Sequence, residues 1–378
     1  MRLSNFFIES IGLYLHPRED RLDRHGRGRR HLCVTELKHL ANHRTTRSGP
    51  CMLGNRPSTA PPDQLDLATD RLHEILITGG TFDAIYRHIL AVPGKRLRTR
   101  LVLSCAQLLP SAPTLSPRDA IDLACVMEML HESSLVHDDV CDGSLMRRGA
   151  ASVPAAFGIR TAARAGFHLA GNAFQVLARV IADNPIIFSR LGEAHGVTYL
   201  DQLADLSLGQ LVETLPAAAD NAALRRHYEF VAGAKTGTLF RLCCSYGGTA
   251  GGVDDDRLRA LMRYADQLAL AFQIMDDVRD VEGGPALGKE AGGDLDRRVP
   301  TWPVIEWLAR RPGSWEMWLS TETSSAELQD DLVRSGATRA ARTAAAIAAE
   351  TACRGLDAFP PTPAREHLCD IAEQTVTR

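Results

Sequence analysis

The sequence predicts an all-α protein, a bundle of long helices with a central cavity between them. Three observations carry that expectation. Apolar residues recur at three- and four-residue spacings over 65–90, 117–141, 189–212, 257–281 and 338–353. Strand-like alternation with hairpin signals is missing. Breaks fall at Pro93-Gly94, Pro110 to Pro117, Gly247-Gly248, Gly251-Gly252 and Gly283-Gly284-Pro285. Long helices on short connections pack as a bundle, and ligand sites in bundles lie between helices.

Composition narrows the class. The chain has 378 residues, 45% hydrophobic and 24% charged, ordinary for a globular protein with a full core. Net charge is -3, so nothing global points to nucleic acid. The charge is uneven: residues 1–60 hold eleven Lys/Arg against five Asp/Glu, leaving 32 against 41 for the rest. Residues 1–62 are expected to be an Arg-rich, mostly disordered extension and linker, and 63–378 a single all-α domain. Glu9 interrupts the apolar run Phe6 to Leu15, which argues against a secretory signal. Glu19, Asp20 and Asp23 argue against a transit peptide. An over-extended start, with Met52 as the true one, is an equal alternative. No apolar stretch approaches the ~20 residues a membrane span needs. Nine scattered cysteines without a C-x-x-C pair or a His/Cys array speak against zinc and for reduced thiols in the cytoplasm.

Taken in order, the elements carry chemistry at their ends. Gly94-Lys95-Arg96-Leu97-Arg98-Thr99-Arg100 opens a helix, where backbone N–H groups and cations suit a phosphate. Alone, it reads more simply as a solvated basic first turn. The helix over 117–141 runs into Asp138-Asp139-Val140-Cys141-Asp142, a D-D-x-x-D cluster, with His131 two turns earlier on the same face. Arg147-Arg148-Gly149 follows after a short loop; guanidinium forks bind phosphate oxygens, or else pair with the neighbouring aspartates. Lys235-Thr236 puts two donors side by side within a helix. Asp254-Asp255-Asp256 follows two glycines and reads as a loop and N-cap. The helix over 257–281 ends on a second cluster, Asp276-Asp277-Val278-Arg279-Asp280, with Gln273 one turn before. Gly288-Lys289 lies in the Gly-rich loop beyond.

One D-D-x-x-D arises by chance in roughly one chain in ten of this length, so a single copy means little. Two copies, each closing an apolar helix near basic motifs, are another matter. Carboxylates at i and i+4 share a helix face and repel unless a cation sits between them. Mg²⁺ takes oxygen ligands and is shared between carboxylates and substrate phosphates. Two facing carboxylate walls therefore point to a cavity that holds a diphosphate through bridging metals.

From Gly94 to Pro303 the chain resembles the trans-isoprenyl diphosphate synthases, the polyprenyl synthetase family. The motifs are PGKRLRTR, MLHESSLVHDDVCDGSLMRRG, KTGTLF, LAFQIMDDVRD and LGKEAGGDL, in the family's order and spacing. The resemblance implies an isoprenoid-synthase-type bundle, homodimeric, using three Mg²⁺, with Mn²⁺ able to substitute. It implies that Lys95, Arg98, His131 and Arg148 hold isopentenyl diphosphate. Arg147, Lys235, Thr236, Gln273 and Lys289 would hold an allylic diphosphate. Asp138 and Asp142 would bind two metals and Asp276 the third, supported by Asp139, Asp277 and Asp280. Four positions depart from the family's pattern. Asn172 replaces the family's usual Asp, Val299 its usual Lys, and Thr99 and Pro93 its usual Pro and Gly.

In that family the cavity floor beneath the first cluster sets product length. Ser133 and Ser134 leave the upper floor open, while Leu130 and then Met127 close it. The expected product is geranylgeranyl diphosphate, C20. Two alternatives stand beside this reading: a terpene cyclase on the same fold, and a non-catalytic subunit of a heteromeric synthase.

Overall fold

The computed structural model describes residues 62–109, 113–189, 199–213, 220–283 and 292–377. The expected N-terminal extension and Lys289 lie outside them. The first four helices are α1 (Pro62–Leu76), α2 (Asp83–Ala91), α3 (Leu97–Ala106) and α4 (Pro117–Asp142). A two-stranded hairpin follows, β1 (Met146–Arg147) and β2 (Ala150–Ala151), then the short α5 (Val153–Phe157) and the long α6 (Ile159–Asp183). Next come α7 (Tyr199–Glu213), α8 (Asn221–Ala232), a π-helical turn at Gly233–Gly237, α9 (Thr238–Ala250) and α10 (Asp255–Glu282). The last group is α11 (Gly293–Asp296), α12 (Trp302–Arg310), α13 (Ser314–Leu319), α14 (Ser325–Ser335), α15 (Ala337–Gly355) and α16 (Pro363–Thr377). The fold is all-α, as the periodicity predicts.

The two helices that end in Asp clusters are stopped at both ends by local chemistry. Ser116 caps α4, its hydroxyl accepting from the Asp119 N–H, with Pro117 in the first turn. Gly143, at φ 64, turns the chain out just after Asp142. Asp254 caps α10 by accepting from the Arg257 N–H, as the loop reading of that triplet predicts, and Gly283 at φ 72 ends it. Each cluster thus occupies the last turns of a firmly terminated helix.

The hairpin was not legible from alternation, because each strand has only two residues. Its turn chemistry explains it. Arg147 pairs with Ala150, and both residues between them have positive φ, 51 at Arg148 and 79 at Gly149. That is the type I′ combination, whose twist matches antiparallel strands.

One core joins α1, α3, α4, α6, α9, α10, α15 and α16, with Leu101, Leu123, Met127, Phe240 and Tyr264 among its fully buried side chains. A second, around Trp307, joins α8, α10, α12, α14 and α15. α9 lies against both α4 and α10. Close approach of α9 to α3 rests on Gly247. A Cβ there would stand 2.7 Å from Cys105 Cβ and press on the Val102 carbonyl. Backbone cannot swing aside as a side-chain tip does. Gly247→Ala should therefore destabilise the fold by about 1–3 kcal/mol, the usual cost of overpacking. Urea unfolding would show it as a lowered midpoint, and an unchanged midpoint would contradict this packing.

Candidate functional site

α4 presents two chemically different sides. Asp138 and Asp142 lie one turn apart on one side. Asp142 is exposed and makes no hydrogen bond or ion pair with any described residue, while Asp138 Oδ1 lies 4.0 Å from Lys235 Nζ. Burial pushes the Asp138 carboxyl up, against the pull of Lys235. The other side carries acids paired with arginines from outside the helix. Glu128 faces Arg96 at 3.4 Å, Glu132 faces Arg148 at 2.8 Å, and buried Asp139 accepts from Arg147 Nε at 3.0 Å and from its Nη2. The pairing of Arg147 with a neighbouring aspartate is thus what the structure shows, at Asp139.

The basic loop places its cations individually. Gly94 to Arg96 precede α3 rather than belonging to it, and Arg96 at φ 50 makes the entry turn. Lys95 is exposed. Arg98, in the first turn, is half-buried over the Phe240 ring at 5.2 Å, and its Nη1 donates to His131 Nε2 at 3.0 Å. Arginine has no acceptor, so the His131 proton sits on Nδ1. Burial first, then Arg98 and Arg148, hold the imidazole pKa well below its ordinary value, so His131 is neutral. Arg98 Nε is buried without a hydrogen-bond partner among the described residues. A buried guanidinium N–H left this way is costly unless a ligand or water completes it. Gly94 makes room for Arg148: a Cβ would stand 2.8 Å from the guanidinium carbon.

The π-turn links the two Asp clusters. Lys235 Nζ lies 2.7 Å from Glu213 Oε2 and 4.0 Å from Asp138, and these acids outweigh burial to raise its pKa. Thr236, next in sequence, goes the other way, donating to Gln273 Oε1 at 2.9 Å. Gln273 Nε2 then donates to Asp277 Oδ1 at 3.1 Å. α7 comes close enough to deliver Glu213 because Gly209 lies on Ala234 and Lys235, where a Cβ would stand 2.9 Å from Ala234 Cβ. Sequence reading placed Lys235 and Thr236 in an ordinary helix; the π-turn widens it at this point, as such turns often do at functional sites.

In the second cluster the three carboxylates differ sharply. Asp276 is exposed and makes no hydrogen bond or ion pair with any described residue. Asp277 is buried; its Oδ2 accepts from Tyr228 Oη at 2.6 Å and the Trp302 N–H at 3.3 Å. Burial pushes the Asp277 carboxyl well above the carboxylate range despite these donors. Asp280, also buried, accepts from the Asp294 N–H at 3.1 Å. Asp138, Asp142 and Asp276 are therefore the three accessible oxygen donors, while Asp139, Asp277 and Asp280 brace the structure. No group of three or more acidic, His or Cys side chains forms a ready metal cage among the described residues. Asp138 and Asp142, one turn apart and accessible, suit a hard divalent ion that takes one or two carboxylates and leaves its other positions to water and phosphate.

Beneath Asp138, the four- and three-residue steps of the helix align Ser134, Leu130 and Met127 on one face. Ser134 is half-buried and Met127 fully buried. Ser133 departs from expectation: it is buried and its Oγ donates to the Gly166 carbonyl of α6 at 2.8 Å, so it serves helix packing rather than an open floor. Asn172 lies by His168, its Nδ2 3.4 Å from the ring, and makes no ion pair. Val299 is half-buried. Arg298 does not replace the missing lysine; its Nη2 donates to the Ser320 carbonyl at 3.1 Å and to that of Thr323, with the guanidinium over Trp318. Sequence reasoning missed Glu128, Glu132, Glu213, Tyr228 and Trp302. A signal existed only for the first two, an i, i+4 acid pair on an otherwise apolar helix.

The polyprenyl synthetase family model matches residues 80–334. The chain is 30% identical to the geranylgeranyl pyrophosphate synthase of Geoglobus acetivorans, over 84% of this chain and 97% of that one. It is 26% identical to the octaprenyl diphosphate synthase of Escherichia coli (strain K12), over 77% of this chain and 88% of that one. Among solved structures, a polyprenyl synthase from Caulobacter crescentus CB15, complexed with calcium and isoprenyl diphosphate, superposes with a TM-score of 0.70 at 28% identity, covering 85% of this chain and 99% of that one. The geranylgeranyl pyrophosphate synthetase of Pyrococcus horikoshii Ot3 gives 0.72 at 26% identity, covering 84% and 96%. A family match across most of the chain, with relatives aligned nearly end to end, means that this protein belongs to the polyprenyl synthetase family and is a trans-prenyltransferase.

Proposed function

We propose that the protein condenses isopentenyl diphosphate with an allylic diphosphate (dimethylallyl, geranyl or farnesyl) to give geranylgeranyl diphosphate. The observation that carries this reading is the second anion pocket. Arg98, whose buried Nε has no hydrogen-bond partner among the described residues, donates to the neutral His131, and Arg148 stands close enough to act electrostatically on both, a set of cations apart from Lys235 and the accessible aspartates. A cyclase ionises one diphosphate and needs no such site. A non-catalytic subunit needs neither the accessible Asp138, Asp142 and Asp276 nor a poised Lys235.

In this reading Lys95, Arg98, His131 and Arg148 hold isopentenyl diphosphate. Arg147, Lys235, Thr236 and Gln273, with Lys289 from outside the described residues, hold the allylic diphosphate. Asp138, Asp142 and Asp276 hold three Mg²⁺, which when bound supply Lewis-acid stabilisation of the charge that builds on the leaving diphosphate. Lys235 and Arg147 add fixed positive charge at the same place, each steadied by its own acid, Glu213 and Asp139. Holding both substrates side by side lets the double bond of isopentenyl diphosphate meet the allylic cation. Apolar walls keep water from quenching that cation. The departed diphosphate then takes the proton.

Product length rests on the column Ser134, Leu130 and Met127. Relatives with farnesyl, geranylgeranyl, octaprenyl and nonaprenyl products all match the chain, so the floor decides between them. Exposed Phe167 and Phe174, seven residues apart on α6, give an apolar stripe that supports a homodimer. The cysteines, without a disulfide framework, fit a cytoplasmic enzyme.

Incubation with isopentenyl diphosphate and each primer in turn, followed by chromatography, should give C20 as the main product. Only C15, or mainly C30 and longer, would overturn the length assignment. A cyclised hydrocarbon formed without isopentenyl diphosphate would overturn the reaction. Asp138→Ala should lower kcat/KM at least 100-fold, about 2.7 kcal/mol of transition-state stabilisation; an equally active variant would sink the metal assignment. Met127→Ala should shift products to longer chains, and an unchanged distribution would show that Met127 is not the floor.

A further inference from the structure

Arg148 is held on three sides. Its Nη1 donates to Glu132 Oε1 at 2.8 Å and to the Val92 carbonyl at 3.3 Å, and its flat face lies against Gly94. Its Nε and Nη2 make no hydrogen bond with any described residue, so this fork is the edge left for an anion. Glu132 is not a surface acid: it is 9% exposed. It lines a pocket with Val92, Arg147, Arg148 and Asp139 beneath the hairpin. Burial pushes its carboxyl up, with Glu128 adding to this and Arg148 opposing it. A buried carboxylate beside a phosphate-binding arginine is an unusual expense for a site built to attract anions. Its charge partly cancels the very guanidinium that the substrate requires.

We propose that Glu132 is the internal counter-ion of Arg148, fixing the guanidinium in the free enzyme and holding down its affinity for isopentenyl diphosphate. This rests on assigning Arg148 to that substrate. Glu132 is a positioning residue: it acts through Arg148 and touches no reacting atom. With the pair formed, Arg148 is neither free to fold onto Asp139 nor in need of an adventitious anion. The incoming diphosphate takes the Nε and Nη2 edge and shares the guanidinium with Glu132. Carboxylate and diphosphate then carry like charge around one cation, which weakens binding at this subsite alone. Asp138, Asp142 and Lys235, on the other side of α4, are not involved.

The test is steady-state kinetics on the full chain, varying isopentenyl diphosphate at saturating farnesyl diphosphate, and the converse. Glu132→Gln keeps an acceptor for Nη1 and removes the charge. It should lower KM for isopentenyl diphosphate at least threefold, with kcat and the farnesyl diphosphate KM within twofold. Arg148→Ala, measured alongside, should raise KM for isopentenyl diphosphate at least tenfold. If Arg148→Ala raises it but Glu132→Gln leaves it unchanged or raises it, the counter-ion role is wrong and the assignment of Arg148 stands. If Arg148→Ala leaves it unchanged, the assignment itself is wrong and the counter-ion role goes with it. Should Glu132→Gln fail to fold, Glu132→Asp decides: the shorter acid draws back from Nη1 and must also lower KM, by a smaller factor.

Discussion

Lys235 and Thr236 are neighbours in sequence, yet their side chains serve different Asp clusters. Lys235 reaches Glu213 and Asp138; Thr236 reaches Gln273 and, through it, Asp277. A regular α-helix separates successive side chains by about 100°. That separation is enough to send Lys235 and Thr236 to different partners, and both stand in the π-turn at Gly233–Gly237, next to α9, which packs against both α4 and α10. The glycine contact at Gly209 and the buried Tyr228, which donates to Asp277, keep this junction in place.

Charge is distributed by the same economy of placement. Most of the site's cations have an acid on a different element, so few are buried alone: Arg96 with Glu128, Arg148 with Glu132, Arg147 with Asp139, Lys235 with Glu213. Buried charges are tolerable only when paired. The exceptions mark function. Asp142 and Asp276 form no hydrogen bond or ion pair with a described residue, although Lys235, Arg147 and Arg279 attract them from further off, and Arg98 keeps a buried N–H without an acceptor among the described residues. Unmatched negative groups on one side and an unmatched positive group on the other are what a metal-bridged diphosphate and a separate, directly bound diphosphate would neutralise.

Much of this was legible in the sequence, for physical reasons. Helix periodicity survives in α4 and α10 because each buries a wide apolar face, and both clusters stand at the ends that periodicity marks. The Asp254 cap was legible because capping is local chemistry. Tertiary pairings were not. Nothing near Glu213 or Glu132 in sequence reveals Lys235 or Arg148, and nothing near Ser133 shows that its hydroxyl turns to Gly166. The hairpin escaped because two-residue strands have no alternation to read, and the π-turn because one extra residue per turn leaves the local pattern helical. At Val299, where the resemblance expects a lysine, the neighbouring Arg298 does not stand in, because it is engaged with the Ser320 and Thr323 carbonyls.

The central proposal is a division of labour among six aspartates: Asp138, Asp142 and Asp276 would take metal, while Asp139, Asp277 and Asp280 hold the scaffold. A crystal grown with Mn²⁺ and pyrophosphate, with ions located by anomalous scattering, tests it most directly. The account predicts ions ligated by Asp138, Asp142 and Asp276, with Asp139 still on Arg147 and Asp277 still on Tyr228. Ions ligated by Asp139 or Asp277, with those pairs broken, would contradict it.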